Sequence, residues 1–194
     1  MGQRDITEEE PQSASEHLGL ALRGLQNRIA ATGAPGDLAH QAAVAIDQIN
    51  AQLDAHRYVA ERDRTWADRD RAPGSRTLHP EYRDLVVTSD RLDATVEFGA
   101  FYLGVNGATH GGALTLLFDD VFGELANHDG GPYRTAYLRV DYRNVAPLQV
   151  DLAVHARVDS IDGRKRFLVA ELHHGDVLVA EAQALFVAVR TTAN

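Results

Sequence analysis

Hydrophobic positions change their period twice along this chain. In the first third they recur at helical spacing. Leu18, Leu22, Leu25 and Ile29 form one stripe, and Ala42, Ala45, Ile46, Ile49 and Leu53 form a second. Gly33-Ala34-Pro35-Gly36 separates the two as a turn, and Asp37 is placed to cap a second helix running to about residue 62. Residues 57–76 are dense in charge, with Trp66 in the middle and Pro73-Gly74 near the end, and read as a linker. A strand is expected over 94–101. A long amphipathic helix follows: at about 100° per residue, Leu114, Leu117, Phe118, Val121, Phe122 and Leu125 share one broad stripe. Asp120, Glu124 and Asn127 fall on the opposite, solvent side. Asp119 sits at the stripe's edge beside Thr115 and Ala126. Gly130-Gly131-Pro132 ends the helix.

Beyond Pro132 the period shortens to two. Strands are expected over 134–144, 149–159, 165–174 and 177–189, with Asp162-Gly163 and Gly175-Asp176 as tight-turn signals between neighbours. The third of these is apolar on both faces, which suits a central strand packed on a helix. The order of strand, long helix and four antiparallel strands predicts an α+β domain in which one sheet wraps round one helix. We divide the chain at residue 80: a helical N-terminal extension and linker over 1–80, and the sheet-and-helix domain over 81–194. The extension is too lightly apolar for a core of its own. Its stripes are expected to pack on the main body or on a partner subunit, and a second reading makes it a lid that tunes which molecules the body admits.

The chemistry concentrates at the start of the long helix, in Thr109-His110-Gly111-Gly112. Glycines at a helix start leave backbone N–H groups uncovered, able to hold an anion or an oxygen that becomes one. Asp119, nine residues past the histidine, is a candidate base or nucleophile. The pair suggests acyl transfer or hydrolysis. A structural reading of Asp119, a boundary carboxylate on a core helix, weighs equally from spacing alone.

The motif and the order of elements, from about residue 92 to 190, resemble the hotdog-fold acyl-CoA thioesterases, in particular the PaaI-like and Them2/Them4-like group. The family pattern of His-Gly-Gly, six residues, then Asp stands here as His110-Gly111-Gly112 through Asp119. The resemblance implies that Asp119 is base or nucleophile, that the Gly111 N–H polarises the thioester carbonyl, and that His110 shapes the site. It also implies that Thr135, counted back from Tyr142, positions water or substrate. Many members carry Asn six residues before the histidine; here that position is Gly104, and Asn106 lies four before, a candidate substitute. The resemblance further implies a dimer or tetramer, each site lying between two subunits, with no cofactor and no metal. A pKa raised by burial beside Phe118 and Phe122 would suit Asp119 as a base. Two rivals remain open on the same fold: a non-catalytic acyl-CoA binding or sensing module, and a dehydratase or hydratase.

Charge adds one constraint. The formal net charge is -9, and coenzyme A is strongly anionic, so binding needs a local basic patch. Arg164-Lys165-Arg166 with Arg157 is the best candidate, and Arg139 and Arg143 extend it; an ordinary exposed hairpin is the equal alternative. So small a patch on an acidic chain argues against nucleic acid. His128-Asp129 reads as a helix C-terminus. His173-His174 with Asp176 reads as a hairpin end rather than a metal site. The 194 residues contain no cysteine, which excludes disulfides and thiolate chemistry. No apolar run reaches the ~20 residues of a membrane span. The polar start carries no apolar signal core, so a cytoplasmic location is the default expectation.

Overall fold

The computed structural model describes residues 14–54, 78 and 80–189. The polar start, the linker with Trp66, and the expected helix beyond Asp54 lie outside the described residues. Two helices, α1 (Ala14–Ala31) and α2 (Gly36–Asp54), precede six strands: β1 (Tyr82–Val87), β2 (Arg91–Glu97), β3 (Tyr133–Tyr142), β4 (Asp151–Asp162), β5 (Lys165–His174) and β6 (Val177–Ala188). Between β2 and β3 come two short 3-10 turns and the long helix α3 (Gly111–Asn127). The strands make one antiparallel sheet in the order β1-β2-β4-β5-β6-β3. This is the expected sheet wrapped round one helix.

The apolar stripe of α3 explains the curl of the sheet. Leu114, Leu117, Phe118, Val121, Phe122 and Leu125 are all buried, with Gly123 and Ala126. They meet the inward positions of β2 (Leu92, Ala94, Val96), β4 (Leu152, Val154, Ala156), β5 (Leu168, Ala170, Leu172) and β6 (Ala182, Ala184, Phe186) in a single core. Ala156, Ala170, Ala182 and Ala184 stand among the larger inward residues, and these small positions let the sheet close over the helix without overpacking. Fully burying a Leu, Val or Phe side chain contributes roughly 1.5–3 kcal/mol, so this stripe is the main stabilising feature of the domain.

Asp120 departs from the expectation of a solvated residue. It is half-buried and accepts a hydrogen bond from the Tyr82 hydroxyl at 2.8 Å, which ties edge strand β1 to the helix. β1 itself was not expected: its burial shows no alternation, and it is bulged between Arg83 and Val86, where Asp84 takes a φ of 53°.

The apolar stripes of the extension do not pack on the body of their own chain: Leu18, Leu22 and Ile29 stay exposed, and α2 buries none of its residues. Instead α1 reaches the body through polar groups. The Asn27 side chain accepts a hydrogen bond from the Phe101 N–H at 3.0 Å, and a β-carbon on Gly99 would overlap that amide. Arg23 lies against Tyr102, where its charge partly offsets the burial that pushes the phenol above its ordinary pKa. Among the described residues no helix is long and apolar enough to cross a membrane.

Asn27→Ala is therefore expected to loosen α1 without unfolding the sheet. Limited proteolysis should cut α1 faster, with the melting of the sheet-and-helix domain nearly unchanged; a single lowered transition for the whole chain would contradict this.

Candidate active site at the start of the long helix

The chain enters α3 through a tightly pinned loop. The His110 N–H donates to the Tyr102 carbonyl at 2.8 Å, and Gly104 N–H to the Ala108 carbonyl at 2.7 Å. Thr109 is buried, bonding through its N–H to the Ala146 carbonyl and through its hydroxyl to that of Pro147. His110 is the N-cap, with extended φ and ψ, and its Nδ1 accepts from the Gly112 N–H at 3.0 Å. Nδ1 being an acceptor, the ring proton resides on Nε2. The Gly111 N–H has no acceptor among the described residues. One capped and one open amide thus stand at the positive end of a 17-residue helix.

Position 104 is closed to a side chain. A β-carbon there would lie 2.9 Å from the His110 Cα and 3.0 Å from its N. The loop accepts only glycine, so an asparagine side chain cannot be accommodated at this position. Asn106 lies in the next turn, exposed and left-handed at φ 56°.

Asp119 is exposed, with the Thr135 hydroxyl donating to its Oδ1 at 3.1 Å. Phe118 and Phe122 are sealed in the core, so they do not bury the carboxylate, contrary to expectation. Thr135 reaches the helix because β3 is bulged between Thr135 and Tyr137. Ala136 is the extra residue, and it shifts the phase of the strand. Tyr133 and Thr135 face α3 before it; Leu138, Val140 and Tyr142 do so after it. Tyr142, used in the sequence only to count back to Thr135, proves to be part of the site. Its hydroxyl donates to the Gly111 carbonyl at 2.9 Å and meets the Thr115 hydroxyl at 2.8 Å.

The four basic candidates do not share one environment. Arg157 points from the outer face of the sheet and pairs with Asp159 at 3.0 Å. Arg164 sits in the two-residue turn Gly163-Arg164 and donates to the Ala188 carbonyl at 2.8 Å; Lys165 pairs with Asp162 at 3.6 Å. Arg166 is folded inward, its side chain only 12% exposed. It stacks 4.5 Å over the Tyr133 ring, donates to the Ala126 carbonyl at 3.1 Å and faces Asp129 at 3.7 Å. It closes the C-terminal end of α3, where a cation is favourable. Arg139 pairs with Asp141, and Arg143 with Glu181, whose carboxylate raises the pKa of its guanidinium. His173 bonds Glu171 rather than Asp176.

With this geometry in hand, comparison with known proteins gives consistent results. Residues 106–181 match the model of the thioesterase superfamily. Acyl-coenzyme A thioesterase THEM4 of Xenopus laevis is 36% identical over 99 residues, a stretch that covers 50% of this chain and 45% of that protein. The chain thus spans less than half the length of this curated relative. A solved thioesterase superfamily protein superposes with a TM-score of 0.76 at 23% identity, covering 92% of this chain and 97% of that one. A hypothetical thioesterase from Streptococcus pneumoniae, solved with coenzyme A, superposes with a TM-score of 0.53 at 16% identity, covering 56% and 89%. The fold is the hotdog fold, and the chain is similar to the THEM4 acyl-CoA thioesterases in sequence, as its motif led us to expect.

Three substitutions test this geometry. Gly104→Asn should destabilise the domain by about 1–3 kcal/mol, the usual cost of overpacking, read as a lowered denaturation midpoint; unchanged stability would show that the loop yields. Arg166→Ala should cost about 1.5–3 kcal/mol, since it removes a charged hydrogen bond from a shielded carbonyl, whereas Arg164→Ala should leave the midpoint within about 0.5 kcal/mol.

Proposed function

We propose that the domain hydrolyses acyl-CoA thioesters to free acid and coenzyme A, at a site shared by two copies of the chain. The observation that carries the reading is the open Gly111 N–H at a capped helix start, with Asp119, on the same helix, held by Thr135. Gly111 and Asp119 are eight residues apart, so at ~1.5 Å per residue they stand about 12 Å apart along the axis. No single carbonyl carbon reaches both. Two antiparallel copies, each presenting the helix start to the other's aspartate, bring the two groups to one substrate.

In this arrangement the thioester oxygen lies at the Gly111 N–H of one copy. An oxyanion-hole donor is typically worth about 2.7–4 kcal/mol in the transition state. Asp119 of the other copy either takes a proton from water, which attacks the carbonyl carbon, or attacks it directly to give a mixed anhydride that water then opens. Both routes break the C–S bond, and the thiolate of coenzyme A leaves and takes up a proton. The Thr135 hydrogen bond occupies one carboxylate oxygen and turns the other toward the substrate. His110 shapes the oxyanion end, and Asn106 lies at its rim. Burial of Asp119 then comes from the second copy rather than from Phe118 and Phe122. The reaction as written uses side chains, backbone and water, and calls on no metal or cofactor.

The basic turn belongs with the aspartate. Arg166 touches the end of α3, seven residues past Asp119 and fifteen past Gly111. Arg164 and Lys165 therefore approach the anionic coenzyme from the Asp119 side, with Arg166 as their strut and Arg157 further out on the sheet. We assign the chemistry to residues 81–194 and leave the helices of 1–80 as an extension that the reaction does not need.

Thiol release from short, long and aromatic acyl-CoAs should be detectable in the wild type and fall by about 10²–10⁴-fold in Asp119→Asn. Release that survives the substitution would reject Asp119 as base or nucleophile. Binding of acyl-CoA with no release from any substrate would favour the sensing module.

A further inference from the structure

The hydrogen bonds around Gly111 pin both peptide groups that flank it. In the peptide between His110 and Gly111, the carbonyl accepts from the Ala113 N–H at 2.8 Å, and the N–H is the open one. In the peptide between Gly111 and Gly112, the N–H donates to His110 Nδ1 at 3.0 Å and the carbonyl accepts from the Tyr142 hydroxyl at 2.9 Å. Of the four polar groups, only the Gly111 N–H is left unbonded among the described residues. Two of the three bonds are local to the helix start. The third, from Tyr142, is anchored elsewhere: this residue is the last of β3 and pairs with Ala180 of β6.

We propose that Tyr142 is a positioning residue for the Gly111 amide, holding the Gly111–Gly112 peptide to the sheet so that the open N–H and the His110 ring keep one direction. The proposal rests on the reading of Gly111 as the oxyanion donor. Its need follows from the sequence. Two successive glycines are the least restrained residues of the chain, and they stand in the first turn, where N–H groups lack helical partners. Left alone, that turn frays, and its donor wanders. The phenol stops this in two ways. Its ring lies 3.4 Å from where a Gly111 β-carbon would stand, in contact along one side. Its hydroxyl bonds the carbonyl, with the Thr115 hydroxyl 2.8 Å away as a second support that itself lies 3.3 Å from the same carbonyl. The bonds run in series, from Tyr142 O–H to the Gly111 carbonyl, and from the amide of that peptide to His110 Nδ1. Fixing the peptide therefore also fixes the histidine with its proton on Nε2.

The test is Tyr142→Phe in the full chain, with Thr115→Val as a milder companion. Amide hydrogen exchange and imidazole 15N shifts are measured beside steady-state thiol release. In Tyr142→Phe the Gly112 amide should exchange at least tenfold faster while core amides such as Leu172 keep their rates. The His110 shifts should move from a single Nε2–H tautomer toward a mixture. The rate constant kcat should fall about ten- to a hundredfold, the scale of a misplaced catalytic group, with KM within about twofold. Thr115→Val should shift each reading the same way by less. Unchanged Gly112 exchange with unchanged kcat overturns the proposal, as does exchange that quickens equally throughout the domain, which is the mark of a merely structural role. A wild type that releases no thiol rejects the thioesterase reading instead; the Gly112 exchange and His110 shifts then still decide whether Tyr142 sets the amide.

Discussion

The apolar stripe of α3 has to be covered on nearly half its circumference, and among the described residues no other helix covers it. A six-stranded sheet curls round it instead, and the rest of the domain follows from that enclosure. The central strands β4, β5 and β6 carry alanines inward because a helix lies against them. The two ends of the helix come out at the rim of the sheet, where its unsatisfied backbone groups need partners. At the C-terminal end Arg166 and Asn127 supply them, the latter bonding the Gly123 carbonyl and the Tyr133 N–H. At the N-terminal end His110 takes the Gly112 N–H on its side chain and the Ala113 N–H on its carbonyl, while the Gly111 N–H stays open among the described residues. A fully capped start would be inert, and an uncapped one would fray. One open amide in an otherwise satisfied turn is the compromise that a preorganised donor requires.

Edge strand β3 makes the site possible through a defect in its own regularity. A strand of strict alternation would turn either Thr135 or Tyr142 away from the helix, since the two are seven residues apart and so of opposite phase. The extra residue at Ala136 corrects the phase between them. Thr135 then meets Asp119 midway along α3, and Tyr142 meets Gly111 at its start. One strand thus serves the two groups that the length of the helix keeps apart.

Much of this was legible along the chain. Strong periodicity places α3 and the later strands within a few residues, because a half-buried helix or strand writes its period directly into the sequence. β1 escaped because an edge strand with four exposed residues has no such period to write. The stripes of α1 and α2 were visible, but not what they touch. Periodicity reports that a face is apolar; here α1 meets the body with Asn27 and Arg23 on another side. The basic run 164–166 shows the same limit. Three adjacent cations look alike as letters, yet Arg166 alone turns inward, because its phase on β5 and the ring of Tyr133 give it a place.

The sequence by itself determined the elements, the donor-bearing glycines and the carboxylate, since helix period, turn residues and motif spacing are local properties. Only the tertiary structure decided what those groups can do. It exposed Asp119 that adjacent aromatics were expected to bury, closed position 104 to a side chain by bringing His110 against it, and made Tyr142 a clamp across 31 residues of chain. Each of these depends on the register of a bulged strand and the path of a loop, and these are fixed by contacts between segments far apart in sequence.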